Sequence, residues 1–199
     1  MKRTYLAQAA AAALLLTLGA CGQTATTPST TEASTTETSA PPAPPVLPPV
    51  SPADFVNKVA ISDMFEIQAS QLAVRRAQNA GIRAFATQMV HDHTATSAQL
   101  RTLVHGHADL PLPTAMDQAH TDMLTELRNA SAAEFDQKYV DQQTHAHDDA
   151  EHLLSDYSHN GENEALKGFA AETEPKVQHH LDMVRALDHS GADEPPAHP

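Results

Sequence analysis

Apolar residues recur at the spacing of an amphipathic helix through most of residues 51–188. The clearest case is residues 82–104, where apolar side chains return every three or four positions and predict one long helix. The same pattern predicts long helices at about 51–78, 131–160 and 163–188, and a shorter helix at about 114–127. No part of this region alternates apolar and polar residues as a strand would, so the pattern indicates an all-α domain.

The breaks between these helices predict how they are connected. Asn79 and Gly81 separate the first two long helices, and Asn160-Gly161 separates the last two, so each pair should form an antiparallel hairpin. The connection between the two hairpins is longer and contains the short helix, so it can return along the bundle. These lengths predict a ferritin-like four-helix bundle with a long crossover that contains a short extra helix.

Residues 1–20 have the features of an export signal. Lys2 and Arg3 precede an uncharged apolar run at 9–20, which is too short to remain as a membrane span. The run ends at Ala20 and leads into Cys21, the one cysteine of the chain, in a pattern that resembles the lipobox of bacterial lipoproteins. We therefore expect a lipoprotein signal peptide at 1–20 and a lipid anchor at Cys21. The alternative is an ordinary signal peptide cut near Ala20, which leaves a free cysteine.

By resemblance to lipoproteins of Gram-negative bacteria, Gly22 after the cysteine implies the outer membrane, with the protein facing the periplasm. Residues 21–50 consist almost entirely of Thr, Ser, Ala, Pro, Glu and Val, which bury too little apolar surface to fold. We expect a disordered tether at 21–50, a single domain at 51–188 and a disordered tail at 189–199.

The charge of the chain narrows its possible partners. Its formal net charge is −13, which becomes −15 once Lys2 and Arg3 leave with the signal peptide. Phosphate backbones repel such a protein, so we expect no nucleic-acid partner, whereas cations are attracted to it. A single cysteine cannot form a disulfide within the chain, so a hydrophobic core must stabilise the domain.

Each long helix carries a titratable residue in the middle of its apolar stripe. These residues are Glu66, His93, His147 and His180, one on each helix. Counted from the hairpin turns, the first three lie near one level. His180 lies about five residues, or ~7.5 Å, beyond His147, at the level of Gln143. We also expect Pro175 to kink the last helix. The counts predict a site that is either staggered or split into two layers.

One carboxylate and three imidazoles are a suitable ligand set for a divalent transition metal. The alternative is a hydrogen-bonded polar layer that fixes the register of the bundle, in which Ser62, Thr96, Tyr139 and Gln143 satisfy the histidines. That alternative describes a non-catalytic structural or protein-interaction module with an unknown protein partner.

A weaker hypothesis is a haem or small-ligand site, since Met89 lies one turn from His93 on the same stripe. The sequence contains no Glu-x-x-His tetrad of the kind found in di-iron bundles. No residue pattern predicts a catalytic role, so an enzyme is disfavoured.

Several short motifs, taken together, resemble the bacterial family called domain of unknown function DUF4142. They are Glu66, Asp92-His93 after Met89, Phe135-Asp136-Gln137-Lys138-Tyr139, Gln143 with His147, and Pro175 followed by His180-Leu181. The resemblance covers about residues 52–188. It implies a secreted or envelope-attached bundle, grouped with ferritin-like proteins and often described as an outer-membrane protein, with no accepted catalytic role. We expect Asp92, Tyr139 and Gln143 to support the four candidate ligands.

Overall fold

The computed structural model describes residues 49–191, with side chains to residue 188, and that part of the chain forms five α-helices and no strand. They are α1 (Pro52–Arg76), α2 (Ala80–Leu103), α3 (Gln118–Asn129), α4 (Ala132–Asn160) and α5 (Glu164–Gly191). The predicted all-α class is confirmed. Within the described range, none of the helices combines the length and the hydropathy that a membrane crossing needs. The predicted signal peptide, Cys21 and nearly all of the tether lie outside the described residues.

The starts of the long helices are set by caps that the sequence encodes. The Ser51 hydroxyl accepts a backbone N–H of the first turn of α1, and Pro52 occupies a position that needs no N–H donor. Asn79 caps α2 in the same way. At the start of α4, the Ser131 N–H donates to the Glu134 carboxylate at 3.3 Å, which completes the predicted capping box.

The helices pack as the predicted four-helix bundle. α1 with α2 and α4 with α5 form the two antiparallel hairpins, α1 also packs on α4, and α2 packs on α5. The crossover from α2 to α4 contains α3, which packs against α1 and α4. This arrangement is consistent with a ferritin-like bundle that has one long crossover.

Two helix boundaries differ from the prediction. α3 begins at Gln118 instead of 114, because the Asp117 carboxylate caps it by accepting the His120 N–H at 2.9 Å. α5 continues to Gly191, past the predicted helix end at about 188, and Pro175 lies inside this helix. Val50, which lies within the predicted tether, packs against the apolar core.

The apolar core has two clusters, one at each end of the bundle. The first cluster surrounds the α1–α2 turn and includes Phe85 and Tyr139. The second surrounds the α4–α5 turn and includes Phe55 and Tyr157, whose rings stack with centroids 3.9 Å apart. On each long helix a buried polar stretch separates residues of one cluster from residues of the other. The bundle therefore holds a polar layer between two apolar ends.

Candidate metal centre

Three histidines from three helices meet in the polar layer. His93 on α2, His147 on α4 and His180 on α5 are 7%, 1% and 3% exposed. Their ring centroids are 5.6 Å apart for His93 and His147, 5.7 Å for His93 and His180, and 5.5 Å for His147 and His180. One candidate ligand atom from each ring lies within 4.8 Å of those of the other two. We call these three residues the histidine triad.

The His93 ring is oriented by a buried carboxylate. Its Nδ1 donates to Asp63 Oδ1 at 2.8 Å, and the other oxygen of Asp63 accepts the Ser97 hydroxyl at 2.9 Å. Asp63 is 3% exposed, so this pair is held away from bulk water. Because Nδ1 is engaged, Nε2 of His93 is the nitrogen left for another partner.

The other two rings are held in a comparable way. Nε2 of His180 donates to Asp92 Oδ2 at 3.0 Å, and Nδ1 of His147 donates to the Gln143 carbonyl at 2.9 Å. Three buried ring nitrogens then remain without a hydrogen-bond partner: Nε2 of His93, Nε2 of His147 and Nδ1 of His180. A buried polar atom without a partner is costly, so these three nitrogens are available to a group that would fit between them.

Glu66 lies in the same layer and is 1% exposed. Neither of its carboxylate oxygens makes a hydrogen bond of standard geometry, and both are buried. Burial raises the pKa of Glu66 to about 7, although the positive charge of His93 and the nearby Gln143 side chain favour the charged form. Glu66 can therefore exist either as a neutral acid or as an anion near neutral pH.

The triad histidines have different pKa values. Burial and, to a smaller extent, the charge of His93 lower the pKa of His147 to about 3 and that of His180 to about 4. For His93, burial alone lowers the pKa, but the hydrogen bond to Asp63 and the charge of Glu66 raise it above its ordinary value. Two of the three rings are thus neutral at physiological pH, which is the form that binds metals.

Asp92 links the triad to the surface. Its Oδ1 accepts a hydrogen bond from Nδ1 of the exposed His91 at 2.7 Å, while its Oδ2 accepts one from His180. Partial burial raises the pKa of Asp92, but the hydrogen bonds from His91 and His180 lower it more, so the net shift is downward. Asp92 therefore stays charged and can orient His180.

The donor set fits a transition-metal ion. Neutral imidazole is a ligand for Zn, Cu, Fe and Ni, and histidine ligands usually donate their other ring N–H to a carboxylate or a backbone carbonyl, as all three do here. Among the residues whose side chains are described, no Lys or Arg is buried, so no permanent cation balances the buried carboxylates Asp63 and Glu66. A bound cation would supply both the missing partners and the missing charge.

The structure brings the predicted residues together with some differences. Glu66 and the three histidines are all buried in the interior. The group whose ligand atoms lie within 4.8 Å of one another contains the three histidines and not Glu66. His180 belongs to it despite its predicted offset along the helix. Of the predicted supporting residues, Asp92 orients His180 and Gln143 contributes its carbonyl to His147. Tyr139 is bonded to Ser70, at 2.8 Å between the two hydroxyl oxygens, and not to a histidine.

Sequence reasoning missed Asp63. The residue lies four positions after Val59 and three before Glu66, which is the spacing of the α1 stripe. The predicted polar layer contains Ser62 from this part of α1 instead. Ser62 is only partly buried in the structure, whereas Asp63 is buried and bonded to His93.

Solved structures show the same fold. CopM in the Cu(II)-bound form is 16% identical, with a TM-score of 0.61 over 71% of this chain and 98% of that chain. CopM in the Cu(I)-bound form is 15% identical, with a TM-score of 0.59 over 70% and 96%. CopM in the Ag-bound form is 16% identical, with a TM-score of 0.58 over 70% and 96%. At these identities the likeness concerns the fold alone.

A search of curated proteins found no match. The sequence profile of the family described as "Domain of unknown function (DUF4142)" matches residues 34–187, which is most of the chain. This protein therefore belongs to the DUF4142 family.

Proposed function

We propose that this protein binds one transition-metal ion between His93, His147 and His180, with copper as the first candidate. The observation that carries the proposal is the set of three buried ring nitrogens without partners, each on a ring whose other nitrogen is held by an acceptor. A layer built only to fix the register of the bundle would satisfy these nitrogens.

Charge and donor chemistry support the same function. The layer contains buried carboxylates and no buried Lys or Arg among the described side chains, so a cation lowers its electrostatic cost. Imidazole nitrogens favour Cu²⁺ over the other divalent ions of the first transition row. The similar bundles of CopM were solved with Cu(II), Cu(I) and Ag bound, which makes copper the first ion to test.

The test is metal loading of the purified mature chain. The metal-free protein is dialysed separately against Cu²⁺, Zn²⁺ and Ag⁺, and the bound metal is counted by elemental analysis. We expect one tightly bound ion per chain and, for Cu²⁺, an electron paramagnetic resonance spectrum with nitrogen hyperfine coupling from imidazole ligands.

A matched pair of variants identifies the site. His180→Ala should abolish stoichiometric loading, whereas His179→Ala, which removes the exposed neighbouring imidazole, should leave it unchanged. Loss of loading in both variants would point to a surface site. If the wild type binds none of the three ions, the proposal is wrong and the register-fixing layer remains; His93→Leu should then be tolerated. A visible absorption band in the protein as purified would instead favour a haem site.

The surface gives little support to the alternative of a protein-interaction module. Val74, at 40%, is the one large hydrophobic side chain that is exposed in the described part of the chain. Docking surfaces usually present a contiguous apolar patch of several hundred Å². The polar layer is therefore the feature that a function has to explain.

We also propose that a lipid on Cys21 anchors the protein to the outer membrane, with the bundle in the periplasm. The support is the sequence pattern of Lys2 and Arg3, the apolar run at 9–20, and the step from Ala20 into Cys21. Cys21→Ser should move the protein from the membrane fraction to the soluble fraction, because acyl chains provide most of the membrane affinity. Continued membrane association of a correctly exported variant would exclude the lipid as the anchor.

A further inference from the structure

A cavity of about 500 Å³ leads from the surface of the bundle to the histidine triad. Its inner wall includes His93, His180 and Asp63, which are buried. Its outer wall includes His145 and Asp149 of α4, which are exposed. The cavity therefore joins solvent to two of the three candidate ligands.

Residues of all five helices line the cavity. Small side chains such as Ser62, Ala146 and Ala150 lie in its wall. The apolar clusters close both ends of the bundle around the polar layer. A second cavity, near Asn79 and Asp136 at the α1–α2 turn, includes none of the triad histidines.

The charges along the cavity favour a cation. Four carboxylates line it, from Asp63, Asp92, Asp117 and Asp149, against two amino groups, from Lys58 and Lys176. A cleft with an excess of one charge concentrates ions of the opposite sign and raises their association rate. His120 and His145 also line the cavity and could hold an ion briefly on its way in.

We propose that this cavity is the access route by which a divalent cation enters and leaves the histidine triad. The inference rests on the proposed function and adds the path that the ion takes. Residues that line an access route can be distinguished by kinetics from residues that bind the ion. Narrowing the route raises the barrier for binding and for release together, so both rates fall while the dissociation constant stays the same.

The first test narrows the cavity at two independent positions. Ser62→Leu and Ala150→Leu each place a larger side chain in the wall, at positions that are not triad residues. We expect each to slow the association of Cu²⁺ or Zn²⁺ and its release to a chelator by about tenfold, with an unchanged dissociation constant. The matched control is Ala95→Leu, which adds the same volume at an exposed position of α2 outside the cavity.

The second test concerns charge. Asp149→Asn removes a carboxylate from the outer wall, and Asp109→Asn removes one from an exposed position that does not line the cavity. Only the first should lower the association rate, and the difference should shrink as salt is added, because salt screens the attraction. Stopped-flow mixing with the full mature chain measures both rates.

The outcomes separate the route from the site. If the wild type loads with metal and the association and release rates are unchanged in Ser62→Leu and Ala150→Leu, the route is wrong and the site still stands. A higher dissociation constant with an unchanged association rate also overturns the route, because that result means that the substitution has disturbed the metal-binding histidines. If the wild type binds neither ion, the route and the site both fail. Circular dichroism and the thermal midpoint of each variant confirm that the bundle is intact, and slowing in either folded variant but not in Ala95→Leu supports the route.

Discussion

At the scale of single residues, the hydrogen bonds of the three histidines decide which nitrogen of each ring is available. Asp63 and the Gln143 carbonyl take Nδ1 of His93 and His147, so these rings present Nε2. Asp92 takes Nε2 of His180, so that ring presents Nδ1. The candidate centre is therefore asymmetric, because its third ring presents a different nitrogen from the other two.

Asp63→Asn tests the role of the carboxylate that holds His93. The amide oxygen can still accept the Nδ1 proton, but the negative charge that makes the imidazole a stronger ligand is lost. We expect metal affinity to fall by about 10–100-fold, as it does for other residues that orient metal-binding histidines. Competition with a chelator of known affinity measures this.

Ser97→Ala is the control for that change, because it removes the other hydrogen bond of Asp63 and keeps its charge. Its affinity should stay near that of the wild type. Equal losses in the two variants would show that the rigidity of the network matters, and not the charge on Asp63.

Glu66→Gln should have opposite effects on the metal-free and metal-bound protein. Burial raises the pKa of Glu66 from 4.5 to about 7, so folding favours the protonated form. The folded protein thus loses stability as pH rises through this window, by about 3 kcal/mol once Glu66 is ionised. Glutamine cannot ionise, so the metal-free variant should be more stable than the wild type at about pH 8 and nearly equal to it at about pH 4.

With a divalent ion bound, the same substitution should weaken binding by about tenfold, because the negative charge that compensates the ion is gone. Urea unfolding at the two pH values and metal competition measure the two effects. A variant that is less stable than the wild type at about pH 8 without metal would contradict the assignment of Glu66 as an uncompensated buried acid.

At the scale of elements, the four long helices were well predicted from the sequence. In each of them the spacing of apolar residues and the capping residues indicate the same helix. Ser131 with Glu134 and Asn79 are local signals, and the structure uses both. α3 was less predictable, since Thr114 and Asp117 are both acceptable caps, and the structure uses Asp117.

The level of His180 was mispredicted for a geometric reason. α5 begins at Glu164, so residues of the turn after Asn160 do not contribute helical rise. Side chains also lean toward the N-terminus of their helix, which moves His147 away from the α4–α5 turn and His180 toward it. The two rings approach each other although their Cα positions are offset. Counting residues along the chain does not include this lean.

Arg76 connects the end of α1 to the end of α3. Its guanidinium donates to the backbone carbonyls of Leu127 at 3.2 Å, Arg128 at 2.8 Å and Ala130 at 2.6 Å. It also lies 4.4 Å from the centre of the Phe135 ring. These contacts satisfy carbonyls at the end of α3 that the helix itself leaves without partners.

Arg76→Lys should lower the free energy of unfolding by about 1–3 kcal/mol, because an ammonium group cannot reach three carbonyls and stack on the ring at once. The control is Arg75→Lys, at an exposed neighbouring position, which should change it little. Denaturant unfolding compares them. Equal stability of the two variants would mean that α3 is held by its apolar contacts alone.

At the scale of the whole molecule, the bundle places a charged layer where an apolar core would be more stable. Each end has a complete apolar cluster, so the fold does not need the polar residues between them for packing. A bound ion would couple this layer to the stability of the bundle, since a ligand that binds only the folded state stabilises it by mass action.

The N-terminal boundary of that folded unit is the last prediction. The sequence before residue 49 is rich in Pro, Thr and Ser, whereas Val50 packs against the second apolar cluster. A chain that begins at residue 49 should therefore have the same thermal midpoint as the mature chain, because no core contact is lost. A chain that begins at 51 should be less stable by up to about 1 kcal/mol, through the exposed apolar surface that Val50 covers. Calorimetry of the three chains measures both differences. A lower midpoint for the chain that begins at 49 would show that the segment before it packs on the bundle, and the assignment of that segment as a tether would be wrong.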